Sequence, residues 1–530
     1  MTRRFGPAPA ARVACVALLA ARIAGCHPQP PVEAPPALRT FCSEEATPAR
    51  IERLAPGVLT ETIERVRHDL SDASGMSLVL FDRDRVLFEL HTGFSHSELR
   101  YPVNSETAFY IASSTKSLVA TTALLLEEEG LLDLDTPLSR YLPTLHFRGW
   151  FLSEDTITPR HLLTHDTGIT SKALELRTSM TGEWDRETLL RLYGSAGGGL
   201  SKPRYSNLNY VLLGMVLEEV TGQTWQELLQ QRLLDPLAMR RSFTHWERPA
   251  DNIAHPHMLA ADGSILPVPE RQNLLRDNTL FPSGGVIASA RDLATYVQLY
   301  LNCGKAGGVR LLPEATIRNA IAPHTRNSGG GLHEYFGFGF GWELALHDTL
   351  TLVAHGGSNR VGARSYIAFS PSLGIGLVIL SNENTVTPYV QGAIARFVWD
   401  SLTEAPAAER LDETLIRWKE KVEARFADRI DGRFLPVFEY PNDPFLQPPL
   451  SAFAGSYADA RYGTVHVGVA SDGLEIRYGN YVTSRVQRLT STRFVGDFGT
   501  NADPIRFHVQ GSQVVALDFT GIGISFERAR

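Results

Sequence analysis

Ser113 and Lys116 stand three positions apart in Ile111-Ala112-Ser113-Ser114-Thr115-Lys116-Ser117. On a helix this spacing puts both side chains on one face, one turn apart. A serine hydroxyl is a poor nucleophile at neutral pH unless a base lies within hydrogen-bond reach. An amine buried at the start of a helix can serve as that base, because low-dielectric surroundings and the positive helix end both disfavour its ammonium form. Two further clusters carry usable chemistry. Tyr205-Ser206-Asn207 offers a phenol and a carboxamide two residues apart, and His355-Gly356-Gly357-Ser358 offers an imidazole followed by glycines that let a backbone approach a ligand closely.

The elements that must position these groups are legible around them. The run Ala108-Phe109-Tyr110 leads into the Ser113 helix, where Leu118, Val119, Thr122, Leu125 and Leu126 predict an apolar face and Gly130 a C-terminal stop. Ile51 to Leu70 reads as one amphipathic helix. Ser77–Phe81 and Val86–Leu90 read as a hairpin closed by polar residues from Asp82 to Arg85. Thr158-Pro159 is a helix start with a capping side chain and proline at the first turn. It leads into Arg160-His161-Leu162-Leu163-Thr164-His165-Asp166-Thr167-Gly168, whose His165 is read as a buried hydrogen-bonding residue. Tyr205 follows a glycine-rich loop and precedes a helix ending at Gly222. Ser289 to Asp292 caps another helix. A strand from Thr349 runs into His355, two strands follow at Ser365–Phe369 and Ile375–Leu380, and a helix spans Thr387 to Leu402. Strands at both ends with helices between them predict an α+β fold, an antiparallel sheet flanked by helices with a helical subdomain.

Beyond this region Leu411, Leu415, Trp418, Val422 and Phe426 share one helical face, and prolines recur from Pro436 to Pro449. From about Leu450 the chain alternates apolar and polar residues in short runs, with Asp472-Gly473 as a hairpin signal, and predicts a small antiparallel barrel. The expected organisation is therefore an export segment over 1–26, a proline-rich tether over 27–47, the main domain over 48–402, a helical and proline-rich linker over 403–449 and a β-rich domain over 450–530.

The chain has 530 residues, 43% hydrophobic and 21% charged, and a formal net charge of −7. Without a Lys/Arg-rich run, this profile argues against a nucleic-acid partner. Arg3, Arg4 and Arg12 precede a short apolar run, Val13 to Ala21, too short to span a bilayer. Ile23-Ala24-Gly25-Cys26 then resembles the lipobox of bacterial lipoproteins. That resemblance implies lipidation of Cys26, with membrane attachment in the cell envelope or periplasm. Arg22 departs from the pattern, and a plain signal peptide is the alternative. Of the 4 cysteines, Cys42 and Cys303 lie outside the export segment; they could pair in an oxidising compartment, and two unpaired thiols is the preferred reading. His255-Pro256-His257 is read as loop rather than as a metal pair, and Gly337-Phe338-Gly339-Phe340-Gly341 as a close-packed strand rather than a dinucleotide signature.

Ser113-Ser114-Thr115-Lys116, Tyr205-Ser206-Asn207 and His355-Gly356-Gly357, in that order, resemble the serine β-lactamase and penicillin-binding-protein superfamily, and most of all its class C branch with its peptidase and esterase relatives. The resemblance covers roughly Ile51 to Leu402. It implies Ser113 as the acylated nucleophile, with Lys116 and Tyr205 as the proton-transfer pair and Tyr205 as a phenolate base favoured by the neighbouring ammonium. It implies Asn207 as a partner of Lys116 and substrate, the N–H groups of Ser113 and Ser358 as an oxyanion hole, and Gly357 as a point of close approach. The superfamily's β-lactamases carry Lys-Thr-Gly where this chain has His355-Gly356-Gly357, so substrate carboxylate recognition at that position is expected to weaken. The C-terminal segment resembles the lipocalin-like module found behind some of these hydrolases.

The function expected is a serine hydrolase acting on an ester, amide or D-amino-acid peptide bond, with a small-molecule or peptide substrate and no cofactor or metal. The alternatives are a penicillin-binding-type sensor with little turnover and a true class C-like β-lactamase.

Overall fold

The computed structural model describes residues 32–42, 51–149, 152–182, 185–198, 203–246, 252–259, 264–268, 281–327, 331–359, 362–430, 447–471, 473–479, 482–497 and 502–529. Cys26 and Asp472 lie outside them.

The chain builds an eight-stranded antiparallel sheet from both ends of its main domain. The strands Thr325–Arg326, Glu334–Phe338, Glu343–His347, Leu350–Asn359, Ala363–Ser370 and Ile375–Ser381 follow one another in space as in sequence. The N-terminal hairpin Met76–Asp82 and Val86–Thr92 then completes the sheet by pairing Met76 with Ser381 and Asp82 with Ile375. Both faces of the central strands are covered, so Met76–Asp82 and Ile375–Ser381 are buried almost throughout. Leu78 and Leu80 point into one core, with the helices Pro56–Asp69, Thr387–Ser401 and Ala407–Ile430. Val79 and Phe81 point into the other, with the helical subdomain.

Two helices differ from their sequence reading. The segment expected as one helix from Ile51 to Leu70 is a 3₁₀ turn, Ile51–Leu54, followed by an α-helix, Pro56–Asp69. Proline forces the residue before it out of the helical region, and Ala55 accordingly has ψ 141°. The helix Thr115–Glu128 carries no single apolar face, since every residue from Thr115 to Leu126 is buried. Its threonines are tolerated there because their hydroxyls bond back to the previous turn. Thr121 reaches the Ser117 carbonyl at 3.0 Å and Thr122 the Leu118 carbonyl at 3.1 Å.

The stretch expected to act as a tether includes a packed segment. Pro36–Arg39 is a short helix, Leu38 and Phe41 are buried in the main core, and Cys42 forms a disulfide with Cys303. The reading of two unpaired thiols is thereby corrected. The 261 residues between these cysteines hid their proximity, which depends on the whole domain having folded. The predicted barrel is present, with eight strands from Gly455 to Arg528 closed by pairing Tyr457 with Arg528. It docks on the helical turn Lys172–Thr181. Arg177 Nε donates to the Arg461 carbonyl at 2.7 Å, and Lys172 Nζ donates to the Ile522 carbonyl. Leu176 is buried in the barrel's own core cluster.

A closed loop of this length removes much unfolded-state freedom, and a native disulfide typically contributes about 2–4 kcal/mol. Non-reduced protein should therefore resist alkylation at Cys42 and Cys303 after denaturation. The Cys303→Ser variant should melt several degrees lower, read by calorimetry.

Candidate active site

Ser113 sits at the junction of a strand, a tight turn and the buried helix. The strand Ala108–Tyr110 passes into a 3₁₀ turn, Ala112–Ser114, and the turn into Thr115–Glu128. Ala112 takes a left-handed conformation, φ 48°. This bend leaves Ser113 half-buried while Ala112, Ser114 and Thr115 on either side are buried. One turn on, Lys116 is fully buried.

The Lys116 amine has three neighbours. Asn207 Oδ1 lies at 2.7 Å, the Ser283 carbonyl oxygen at 2.6 Å and Ser113 Oγ at 3.1 Å. Burial pushes the amine well below the ordinary lysine value, and the nearby Glu343 carboxylate opposes this only in part. The Tyr205 phenol interacts with the Ser113 side chain, which opposes part of the effect of burial on it, and its ring centroid lies 4.9 Å from Lys116 Nζ. Burial pushes the Tyr205 phenol upward, so the group rests as a neutral phenol. The sequence reading of Tyr205 as a phenolate is corrected, whereas burial favours for Lys116 the uncharged form already read from its place at a helix start. Desolvation acts on each and favours the uncharged amine next to the uncharged phenol.

The strand Leu350–Asn359 is fastened to the nucleophile's turn by a short relay. Ser365 Oγ donates to the Ile111 carbonyl at 2.7 Å and accepts from Ser114 Oγ at 2.8 Å, and Ser114 Oγ lies 3.2 Å from the His355 carbonyl. Gly357 faces this contact. A Cβ there would fall inside contact distance of the Ile111 carbonyl oxygen and Ser365 Oγ, so only glycine lets the strand come this near to Ser113. Ser358 follows on an exposed stretch, and its hydroxyl accepts from Asn384 Nδ2 at 2.9 Å. His355 is buried, its Nδ1 lies 2.9 Å from the Gly356 carbonyl, and burial lowers its pKa to about 3. It is a neutral imidazole at physiological pH.

All six side chains or backbones read from sequence as site residues besides Ser113 thus converge on it: Lys116, Tyr205 and Asn207 on one side, His355, Gly357 and Ser358 on the other. Ser113, Tyr205, His355, Gly357 and Ser358 line an open cleft of about 810 Å³. His165 is where its sequence reading put it, buried and hydrogen-bonded. Its Nδ1 accepts the Ser206 backbone N–H at 3.2 Å and its carbonyl accepts that of Arg204 at 3.1 Å, so it clamps the turn that carries Tyr205. His257 Nε2 accepts the Ser97 N–H at 3.0 Å, and the described residues hold no group of three or more metal-ligating side chains.

Two participants escaped the sequence reading. Ser283 contributes through its carbonyl alone, which no side-chain pattern reports. Glu343 lines the cleft, and burial raises its pKa to about 7. Its signal was available: one acid in the apolar run Trp342-Glu343-Leu344-Ala345-Leu346. The turn before it, Gly341 at φ +73°, packs directly on the nucleophile helix, where a Cβ would meet Ala120 Cβ and the Lys116 carbonyl at 2.7 Å.

Comparison with known proteins agrees with this geometry. The chain is 28% identical over 330 residues to penicillin-binding protein 4 of Amycolatopsis lactamdurans, covering 59% of this chain and 82% of that one. Across the first curated relatives the share of the relative's length that is spanned runs from 62% to 82%. The octameric penicillin-binding protein homologue from Pyrococcus abyssi shares the fold over 87% of this chain and 98% of its own, at TM-score 0.57 and 22% identity. The D-amino acid amidase from Ochrobactrum anthropi SV3 shares it over 71% of this chain and 99% of its own, at TM-score 0.52 and 20% identity. The family model described as Beta-lactamase matches residues 62–396, the span that holds Ser113, Lys116, Tyr205 and His355, and the chain belongs to the β-lactamase family.

Proposed function

We propose that the protein is a serine hydrolase that cleaves an ester, amide or D-amino-acid peptide bond through an acyl-enzyme on Ser113. The observation that carries this reading is the set of partners around Lys116. Two of them, Asn207 Oδ1 and the Ser283 carbonyl, only accept hydrogen bonds. A neutral amine has two N–H groups and one lone pair. In the neutral amine both N–H groups go to these oxygens, which leaves the lone pair to face Ser113 Oγ, 3.1 Å away. The amine is then a base aimed at the nucleophile.

The steps follow. Lys116 Nζ takes the Ser113 proton as Oγ adds to the substrate carbonyl. The oxyanion is received by the N–H groups of Ser113 and Ser358, held in register by the Gly357 contact. On collapse, the neutral Tyr205 phenol delivers a proton to the leaving group and regains one from the Lys116 ammonium. Water then enters with the proton path reversed and releases the acid. The neutral His355 supplies no charge for a carboxylate, which favours an ester, amide or peptide substrate over a β-lactam. The fold shared with a D-amino acid amidase is compatible with this choice. The reading includes export to the cell envelope with anchoring through Cys26. The Cys42–Cys303 disulfide supports export, since such bonds persist in oxidising compartments.

The test is p-nitrophenyl ester hydrolysis as a function of pH. Turnover should require Ser113, falling at least about a thousandfold in Ser113→Ala. The wild-type rate should rise as Lys116 loses its proton and level off well below the ordinary lysine pKa, because the base works only when neutral. A rate that keeps climbing toward pH 10.5 contradicts a buried amine base. Gly357→Ala should lower kcat/KM about a hundredfold, the typical weight of one oxyanion donor, with circular dichroism unchanged.

A further inference from the structure

The cleft does not end at the nucleophile. The strand Glu343–His347 pairs with Leu350–Asn359 only as far as Ala354, opposite Glu343. Past that point the outer edge at Gly356 and Ser358 has no strand beside it among the described residues, while the inner edge stays paired with Ala363–Ser365. The cavity runs over this edge to a wall of different composition, made by Arg364, Arg396, Arg417 and Lys421 with Trp418. Arg417, Trp418 and Lys421 come from the helix Ala407–Ile430, beyond the residues matched by the family model. Trp418 seats that helix. Its ring packs edge-on against Tyr389 at 5.7 Å, and a Cβ at Gly392 would meet it at 2.7 Å.

Among the described residues these charges find little anionic company. The lining carries one carboxylate, Glu343, which interacts with Lys116 at the other end of the cleft. The acid that Arg364 senses is Glu383, whose carboxylate is already engaged at the start of the helix Thr387–Ser401, accepting the N–H of Val386 at 2.9 Å and of Thr387 at 3.3 Å. No hydrogen bond or ion pair joins the side chain of Arg364, Arg417 or Lys421 to a described residue. Arg396 gives one bond, to the Leu332 carbonyl at 3.1 Å, and its Nε is buried without a partner. A largely buried guanidinium without an anion is a costly arrangement, and its planar fork matches a carboxylate.

We propose that this wall is a carboxylate-binding subsite: the substrate carries a carboxylate on the portion that crosses the Gly356–Ser358 edge, and Arg364 receives it with Arg396, Arg417 and Lys421 around it. The assignment rests on the serine hydrolase reading for its substrate and on the unpaired cations for its chemistry. It also puts a positive charge in the cleft although the third motif carries a neutral histidine.

The experiment compares p-nitrophenyl valerate with mono-p-nitrophenyl glutarate, which differ by a terminal carboxylate. The full-length protein should prefer the glutarate by about tenfold in kcat/KM at low salt, the gain lying in KM. The preference should shrink with salt, fall toward one in Arg364→Gln and survive in Arg364→Lys, which keeps the charge. A preference for the valerate, or a ratio unmoved by Arg364→Gln, overturns the subsite. Turnover of neither ester would instead count against the hydrolase reading. The subsite is then judged on the Ser113→Ala protein by calorimetric titration with glutarate and with glutaramide. Binding of the acid alone, lost in the additional Arg364→Gln variant, supports it, and absence of binding overturns it.

Discussion

A fully buried lysine amine held between two carbonyl oxygens is the constraint on which the rest of this structure depends. An amine is not buried at no cost. It is tolerated here because it can rest uncharged and because both its N–H groups have acceptors, Asn207 Oδ1 and the Ser283 carbonyl. Each acceptor comes from a different part of the chain: Asn207 opens the helix Asn207–Thr221, and Ser283 lies in the turn before the strand Ile287–Ser289. The helix that carries Lys116 is surrounded on all sides, with Tyr296 and Tyr300 hydrogen-bonded to Thr121 and the Gly341 turn pressed on its first turn. Packing on this scale makes the base rigid, and rigidity lets one hydrogen-bond distance, 3.1 Å to Ser113, be held in the resting protein.

The second constraint is the approach of the strand Leu350–Asn359 to the nucleophile's turn. Gly357 removes the side chain that would prevent it, and the Ser365–Ser114 relay fixes the separation. The same strand has two uses along its length. Up to Ala354 it is an interior member of the sheet, and beyond that its outer edge, which no described strand pairs, borders the cleft. The helix Ala407–Ile430 closes the far side, so a segment outside the family-matched span helps shape the site. The barrel stands apart from this cleft. It holds the helical turn Lys172–Thr181, and Ile169 at the start of that region accepts a hydrogen bond from Ser206, next to Tyr205.

Much of this was readable in the sequence where local chemistry and spacing suffice. The three clusters at Ser113, Tyr205 and His355, the hairpin at Asp82–Arg85, the cap at Ser289 and the alternating barrel strands each announce themselves within a few residues. What stayed hidden depends on distance in the fold. The Cys42–Cys303 pair spans 261 residues, and its formation cannot be read without knowing where Leu38 and Phe41 pack. The neutral phenol of Tyr205 stayed hidden because spacing reports proximity but not burial, and burial decides which protonation form survives. Arg364 was silent for a related reason: one arginine in a strand becomes informative only when the cavity it lines and the engagement of its nearest acid, Glu383, elsewhere are known.

The central claim is that Ser113 is a nucleophile made reactive by Lys116, and covalent capture tests it most directly. Intact-mass spectrometry after brief exposure to a fluorophosphonate should show one adduct, mapped to the peptide containing Ser113. The adduct should be absent in Ser113→Ala and should form far more slowly in Lys116→Met. An adduct at another residue, or a Lys116→Met protein that labels as fast as wild type, would contradict the account.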